Sequence, residues 1–188
     1  MTVSRNLLAV AITALALVVQ VAVANRLPLP GSVTPDLVLL TVVALALTNG
    51  SMLGMISGFG AGLAADIVPP ADHTIGRYAL VYCLIGYGCG LLAGEMDRTT
   101  VVPVMTVAAG ALAGTVLYAG VGMLLDDPRA TWPIVSHIVP LAVLYDVLAS
   151  PFVLWAVLRL TRRADGRGAH DRYALEPTRY RSLQRERV

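Results

Sequence analysis

Apolar residues fall in long runs along this chain, and the runs are broken by short polar, glycine-rich or proline-rich stretches rather than by regular amphipathic alternation. A helix that crosses a hydrocarbon core needs about 20 mostly apolar residues, with about 17 to 25 as the working range. Leu7 to Ala24 meets that measure and ends at Asn25-Arg26 and the turn-rich Leu27-Pro28-Leu29-Pro30-Gly31. A second run begins at Pro35-Asp36, and a third stops before Pro69-Pro70. Joined, residues 36 to 68 would make a helix about 50 Å long against a core of about 30 Å. The polar stretch Thr48-Asn49-Gly50-Ser51 therefore reads as a turn, giving a tight hairpin of two short helices. A fourth run covers Tyr78 to Gly94 and stops at Glu95-Met96-Asp97-Arg98. The fifth covers Val101 to Leu125, before Asp126-Asp127-Pro128-Arg129, and the sixth Ile134 to Leu158. The pattern predicts an all-α integral membrane protein: a bundle of about six transmembrane helices over residues 1–158, then a flexible Arg-rich tail over 159–188.

Composition points the same way. Of the 188 residues, 56% are hydrophobic and 14% charged, with a mean hydropathy of +0.71, whereas a soluble domain devotes about a quarter of its residues to charge. The net charge is only +2, but nine of the fourteen basic residues, all of them Arg, lie in 159–188 beside Asp165, Asp171, Glu176 and Glu186. Six spans put both termini on one side of the membrane, and the positive-inside rule makes that side the cytoplasm. Arg5, Arg98 and the tail arginines are then inside, and Arg26, Arg77 and Arg129 outside. A five-span arrangement would move only Arg5 and Arg26, so charge fixes the C-terminus more firmly than the number of spans. Because five further apolar segments follow it, the first run reads as a retained span of a multi-pass plasma-membrane protein and not as a cleaved leader. The tail admits two readings, attraction to anionic lipid at about 1 kcal/mol per basic group near the surface or a generic stop-transfer signal. Tyr173 and Tyr180 within it hint at a docking segment.

Small residues recur every fourth position at Gly50, Gly54, Gly58 and Gly62, with Asp66 next in the series. Successive members advance about 40° around a helix and so form a slowly winding stripe. Gly86, Gly90 and Gly94 repeat the spacing in the fourth run, and Gly110 and Gly114 in the fifth. In lipid, such stripes let backbones approach closely. Packing between the third, fourth and fifth helices is the first expectation, and a partner or ligand groove the second.

Charge inside a span is costly and asks for a reason. Asp146, mid-way along the sixth run, should face inward. It is either a proton-linked or substrate-binding carboxylate, or a structural group that is protonated or bonded to a Tyr, to Gln20 or to a backbone carbonyl. Asp66 is expected to pair with Arg77 across the outer ends of the third and fourth runs. Asp36, after Thr34-Pro35, is placed to cap the second helix, where an acid complements the partial positive charge of the N-terminus. His137 has no second His or Cys at ligand spacing, so no metal or cofactor is expected. Cys83 and Cys89 would stand about 9 Å apart along one helix, too far for a mutual disulfide. The chain has no phosphate loop, His-Glu-x-x-His pair or Ser nucleophile elbow. Tyr145-Asp146 matches half of an intramembrane aspartyl protease motif, but Asp66 follows Leu63-Ala64-Ala65 instead of Gly-x-Gly. No catalytic residue is expected, and nothing points to nucleic acid.

The ordered series Pro35-Asp36-Leu37-Val38-Leu39-Leu40, Gly50, Gly54, Gly58-Phe59-Gly60, Gly62, Asp66, Pro69-Pro70, Gly76-Arg77-Tyr78-Ala79-Leu80 and Gly86-Tyr87 resembles the rod shape-determining MreD family. The match is best over residues 33 to about 94; beyond that it is one of size, hydropathy and span count. The resemblance implies a non-enzymatic scaffold subunit of the bacterial elongation machinery that supports cell shape and peptidoglycan synthesis. Its implied partners are an MreC-like protein and, through it, the MreB cytoskeleton, a SEDS glycosyltransferase such as RodA and a class B penicillin-binding protein. It also implies a fold similar to the substrate-binding subunits of energy-coupling-factor transporters, and hence an alternative role as the binding subunit of a vitamin or metal importer. Against that alternative, the alanines of the first run include no pair spaced by four.

Overall fold

The computed structural model describes residues 2–68, 75–95, 101–125 and 132–185. Six α-helices run through them: α1 Thr2–Ala22, α2 Leu37–Asn49, α3 Ser51–Ile67, α4 Arg77–Gly90, α5 Val101–Leu124 and α6 Trp132–Arg185. Three stretches are long and apolar enough to cross a membrane, Arg5–Arg26, Pro103–Leu124 and Ile138–Arg163, whereas α2 and α3 are shorter apolar helices. The turns expected at Pro69-Pro70, Asp97-Arg98 and Asp126 to Arg129 lie outside the described residues, as does the side chain of His137. Helix α6 continues through the Arg-rich segment as far as Arg185.

Helix α2 is the axis of the bundle. Every residue from Val38 to Leu47 is buried, and α2 packs against all five other helices. The local sequence gives the reason: Thr41 is the only polar residue between Leu37 and Leu47, and a helix that is apolar on every side is buried on every side. Thr41 satisfies its hydroxyl within the helix by donating to the carbonyl of Leu37 at 2.7 Å. Where α2 ends, Gly50 takes φ 90°, a left-handed value that costs a residue with a Cβ about 1–2 kcal/mol. The chain thereby reverses into α3 with one residue between helices.

Helix direction alternates along the chain. Arg5 near the start of α1 donates to Asn49 at the end of α2 (2.6 Å), and Thr161 of α6 borders the same crevice as these two residues. The N-terminal segment, the α2–α3 turn and the end of the apolar part of α6 therefore share one face of the bundle. The end of α1, the start of α2, the end of α3 and the start of α4 form the opposite face.

The glycine series falls mainly between α3 and α4. A Cβ on Gly58 would overlap the carbonyl of Tyr82, one on Gly54 would come within 2.6 Å of the Ala46 Cβ, and one on Gly62 within 2.6 Å of the Ala79 Cα. Reciprocally, a Cβ on Gly86 would overlap the Gly54 carbonyl and one on Gly90 would lie 2.6 Å from the Ser51 nitrogen. Two members depart from the expected stripe. Gly50 has open space where its Cβ would be, so its glycine serves the turn, although its main chain lies against Gly90. Gly94 stands beyond the end of α4, in the 3-10 turn Ala93–Glu95, also facing open space. Gly110 and Gly114 meet side chains and not backbone, Gly110 with Cys89 Sγ and Val43 at 3.1 Å and Gly114 with Leu39 at 2.6 Å. Cys83 and Cys89 are free thiols.

Candidate functional site

The polar residues that an apolar bundle has to accommodate are gathered at the face opposite the N-terminal segment. Asp36 caps α2, its Oδ1 accepting from the Leu39 N–H at 2.9 Å, and its Oδ2 accepts from the hydroxyl of Tyr82 on α4. The main-chain N–H of Asp36 in turn donates to Asp146 Oδ1 of α6 at 2.6 Å. Gln20 of α1 completes the capping: its Oε1 accepts from the Leu37 N–H at 2.8 Å, and its Nε2 donates to the Pro35 carbonyl at 3.1 Å. Three side chains from three helices thus satisfy main-chain groups at or just before the first turn of α2, groups that no intrahelical bond can reach.

Asp146 is 2% exposed and faces the bundle interior. Its partner is none of those the sequence suggested: neither a Tyr, nor Gln20, nor a carbonyl, but a backbone N–H. That partnership needs α2 to begin at the depth of Asp146, and the shortness of α2 allows it.

Asp66 is fully buried, and its carboxylate receives main-chain N–H groups at the start of α4 from Gly76 (2.9 Å), Tyr78 (3.1 Å) and Ala79 (3.1 Å). An acid at the end of one helix thereby caps the next, with Gly76 at φ 99° turning its N–H toward the carboxylate. The guanidinium of Arg77 lies 3.7 Å from the centre of the Tyr118 ring, and its Nε and Nη2 donate to the Tyr118 carbonyl at 2.9 and 2.6 Å.

These groups border a cavity of about 340 Å³ whose lining includes Gln20, Asp36, Tyr78, Tyr82, Tyr118 and Asp146. The rings of Tyr78 and Tyr118 are stacked with centroids 4.3 Å apart, and Tyr82 meets Tyr78 edge-on at 5.3 Å. Of the three tyrosines, the sequence alone marked only Tyr78, within Gly76-Arg77-Tyr78-Ala79-Leu80. The signal that pointed to them was the four-residue spacing of Tyr78 and Tyr82, which puts both on one side of α4.

A second concavity, about 620 Å³, runs between α1 and α3. Ala9, Ala14, Gly60, Ala61 and Ala64 line it, along with Leu17, Leu53 and Ile56. The buried hydroxyl of Thr13, a residue of its wall, has no hydrogen-bond partner among the described residues.

The family model of the rod shape-determining protein MreD matches residues 2–161, a stretch that takes in α1 to α5 and the apolar part of α6. The chain belongs to the MreD family. No curated protein and no solved structure matches it. In this MreD-family chain the matched region takes in both concavities and the three acids Asp36, Asp66 and Asp146. The family role is the determination of rod shape.

Proposed function

We propose that this chain is a non-enzymatic scaffold of the cell-elongation machinery in the plasma membrane, and that it supports peptidoglycan synthesis by holding the transmembrane helix of an MreC-type protein. The observation that carries the reading is the α1–α3 groove, which the chain's own helices leave unfilled. Ala9, Ala14, Gly60, Ala61 and Ala64 line it, as small residues should line a site for close helix approach. The MreB cytoskeleton, a SEDS glycosyltransferase and a class B penicillin-binding protein would be reached through that partner. Six passes with both termini in the cytoplasm complete the reading, supported by the shared face of Arg5 and Thr161 and by the arginine excess on that side. The implied fold likeness to substrate-binding subunits of energy-coupling-factor transporters belongs to the same reading, and an experimental structure superposed on one would test it.

Gly60 provides the experiment. A side chain there meets nothing within 4 Å inside the protein, so Gly60→Leu fills the groove without disturbing the bundle. The variant should accumulate normally yet lose co-purification with the MreC-type protein and fail to restore rod shape. Full co-purification and full rescue would remove the groove from the function. A vitamin or metal ion co-purifying at one per chain would favour the importer subunit instead.

A further inference from the structure

We infer that the cavity beside the first turn of α2 is a binding site for a small organic ammonium group, seated against Asp146 and enclosed by tyrosine rings. The inference stands on that cavity alone and does not depend on the α1–α3 groove. Its volume of about 340 Å³ lies at the lower end of the range, about 300–1,000 Å³, in which proteins enclose small ligands.

The cavity's chemistry selects the ligand class. Two carboxyl groups line it, Asp36 and Asp146, and among the described residues no Arg, Lys or His does. Both oxygens of Asp36 are engaged, by the Leu39 N–H and the Tyr82 hydroxyl. Asp146 is different: Oδ1 takes the Asp36 N–H, while Oδ2 accepts no hydrogen bond from a described residue. Asp146 lines the cavity, so the space into which that oxygen can accept a hydrogen bond is the cavity itself. What fits there must donate hydrogen bonds and tolerate, or bring, positive charge. The rings of Tyr78 and Tyr82 add aromatic surface of the kind that attracts cations within about 6 Å, whereas the Tyr118 ring already carries the Arg77 guanidinium. No group of three metal-ligating side chains is present among the described residues, so a divalent ion here would have to keep most of its coordination shell as water. A primary ammonium group, with three donors on one nitrogen, satisfies the vacant oxygen and lies comfortably among aromatic rings.

The ammonium group has two possible sources, a lipid headgroup entering from the bilayer or a free amine entering from the aqueous face. The full chain reconstituted in nanodiscs of phosphatidylglycerol alone and titrated with ethanolamine isolates the second. Nanodiscs of mixed phosphatidylethanolamine and phosphatidylglycerol, read by native mass spectrometry for retained lipid, isolate the first. At least one arm should be positive: saturable thermal stabilisation by ethanolamine, or retention of phosphatidylethanolamine over phosphatidylglycerol. In Asp146→Asn, which can still accept from the Asp36 N–H, the positive response should weaken at least tenfold. Ala142→Leu, which fills the cavity one turn away and leaves both carboxyl groups in place, should abolish it too, and serves if the first variant does not accumulate. A response in neither arm, or one that both variants leave unchanged, overturns the inference.

Discussion

Asp146 accepts the main-chain N–H of Asp36 at 2.6 Å across 110 residues of sequence, so a carboxyl group inside one long helix fixes the depth at which the central helix begins. An isolated carboxyl in an apolar bundle is a liability. Here it satisfies an amide at the start of α2 that no intrahelical bond can reach.

That arrangement separates two substitutions at Asp146. Asn retains an acceptor for the Asp36 amide, so Asp146→Asn should accumulate normally and co-purify with an MreC-type partner. Asp146→Leu leaves the amide unsatisfied and should lower stability by about 1–3 kcal/mol, read as a lower melting temperature in detergent. Loss of assembly with Asn at normal abundance would show that the charge itself serves the partner.

The α3–α4 contact is backbone on backbone, with Gly58 against the Tyr82 carbonyl. Main chain cannot move aside as a flexible side chain can, so Gly58→Leu should force the helices apart at a cost of at least about 1–3 kcal/mol and reduce accumulation in the membrane. Gly60→Leu, two residues along on the open side, is the matched control. Equal accumulation of both variants would mean that the contact contributes little.

Asp66 gathers three amides with two oxygens. In Asp66→Asn one oxygen becomes an NH₂ group that faces a donor, leaving at least one amide unpaired and costing about 1–3 kcal/mol. Hydrogen exchange at Gly76, Tyr78 and Ala79 should quicken in the variant. Unchanged protection of these amides would deny the cap its role.

Topology has a direct check. A reporter active only outside the cytoplasm should be silent when fused after Val188 and active when inserted after Gly31. The reverse pattern would invert the bundle.

Much of the architecture was legible in the sequence because it is local. The apolar runs marked the helices, Thr48-Asn49-Gly50-Ser51 marked the reversal between α2 and α3, and Thr34-Pro35-Asp36 marked a cap, since each depends on residues within a turn or two of one another. The fourfold glycine spacing showed that a face existed, but not that Gly54, Gly58 and Gly62 would meet the α4 main chain, nor that Gly94 would fall beyond its helix. Partners of the buried acids were beyond reach for a different reason. Charge makes Asp66 and Arg77 look complementary at a distance of eleven residues, yet a carboxylate at a helix end also finds amides, and which it meets depends on how two helices join. Asp36 and Asp146 became neighbours only because α2 is short, central and set at one depth against α6, a relation fixed by the packing of six helices together and carried by no stretch of the chain alone.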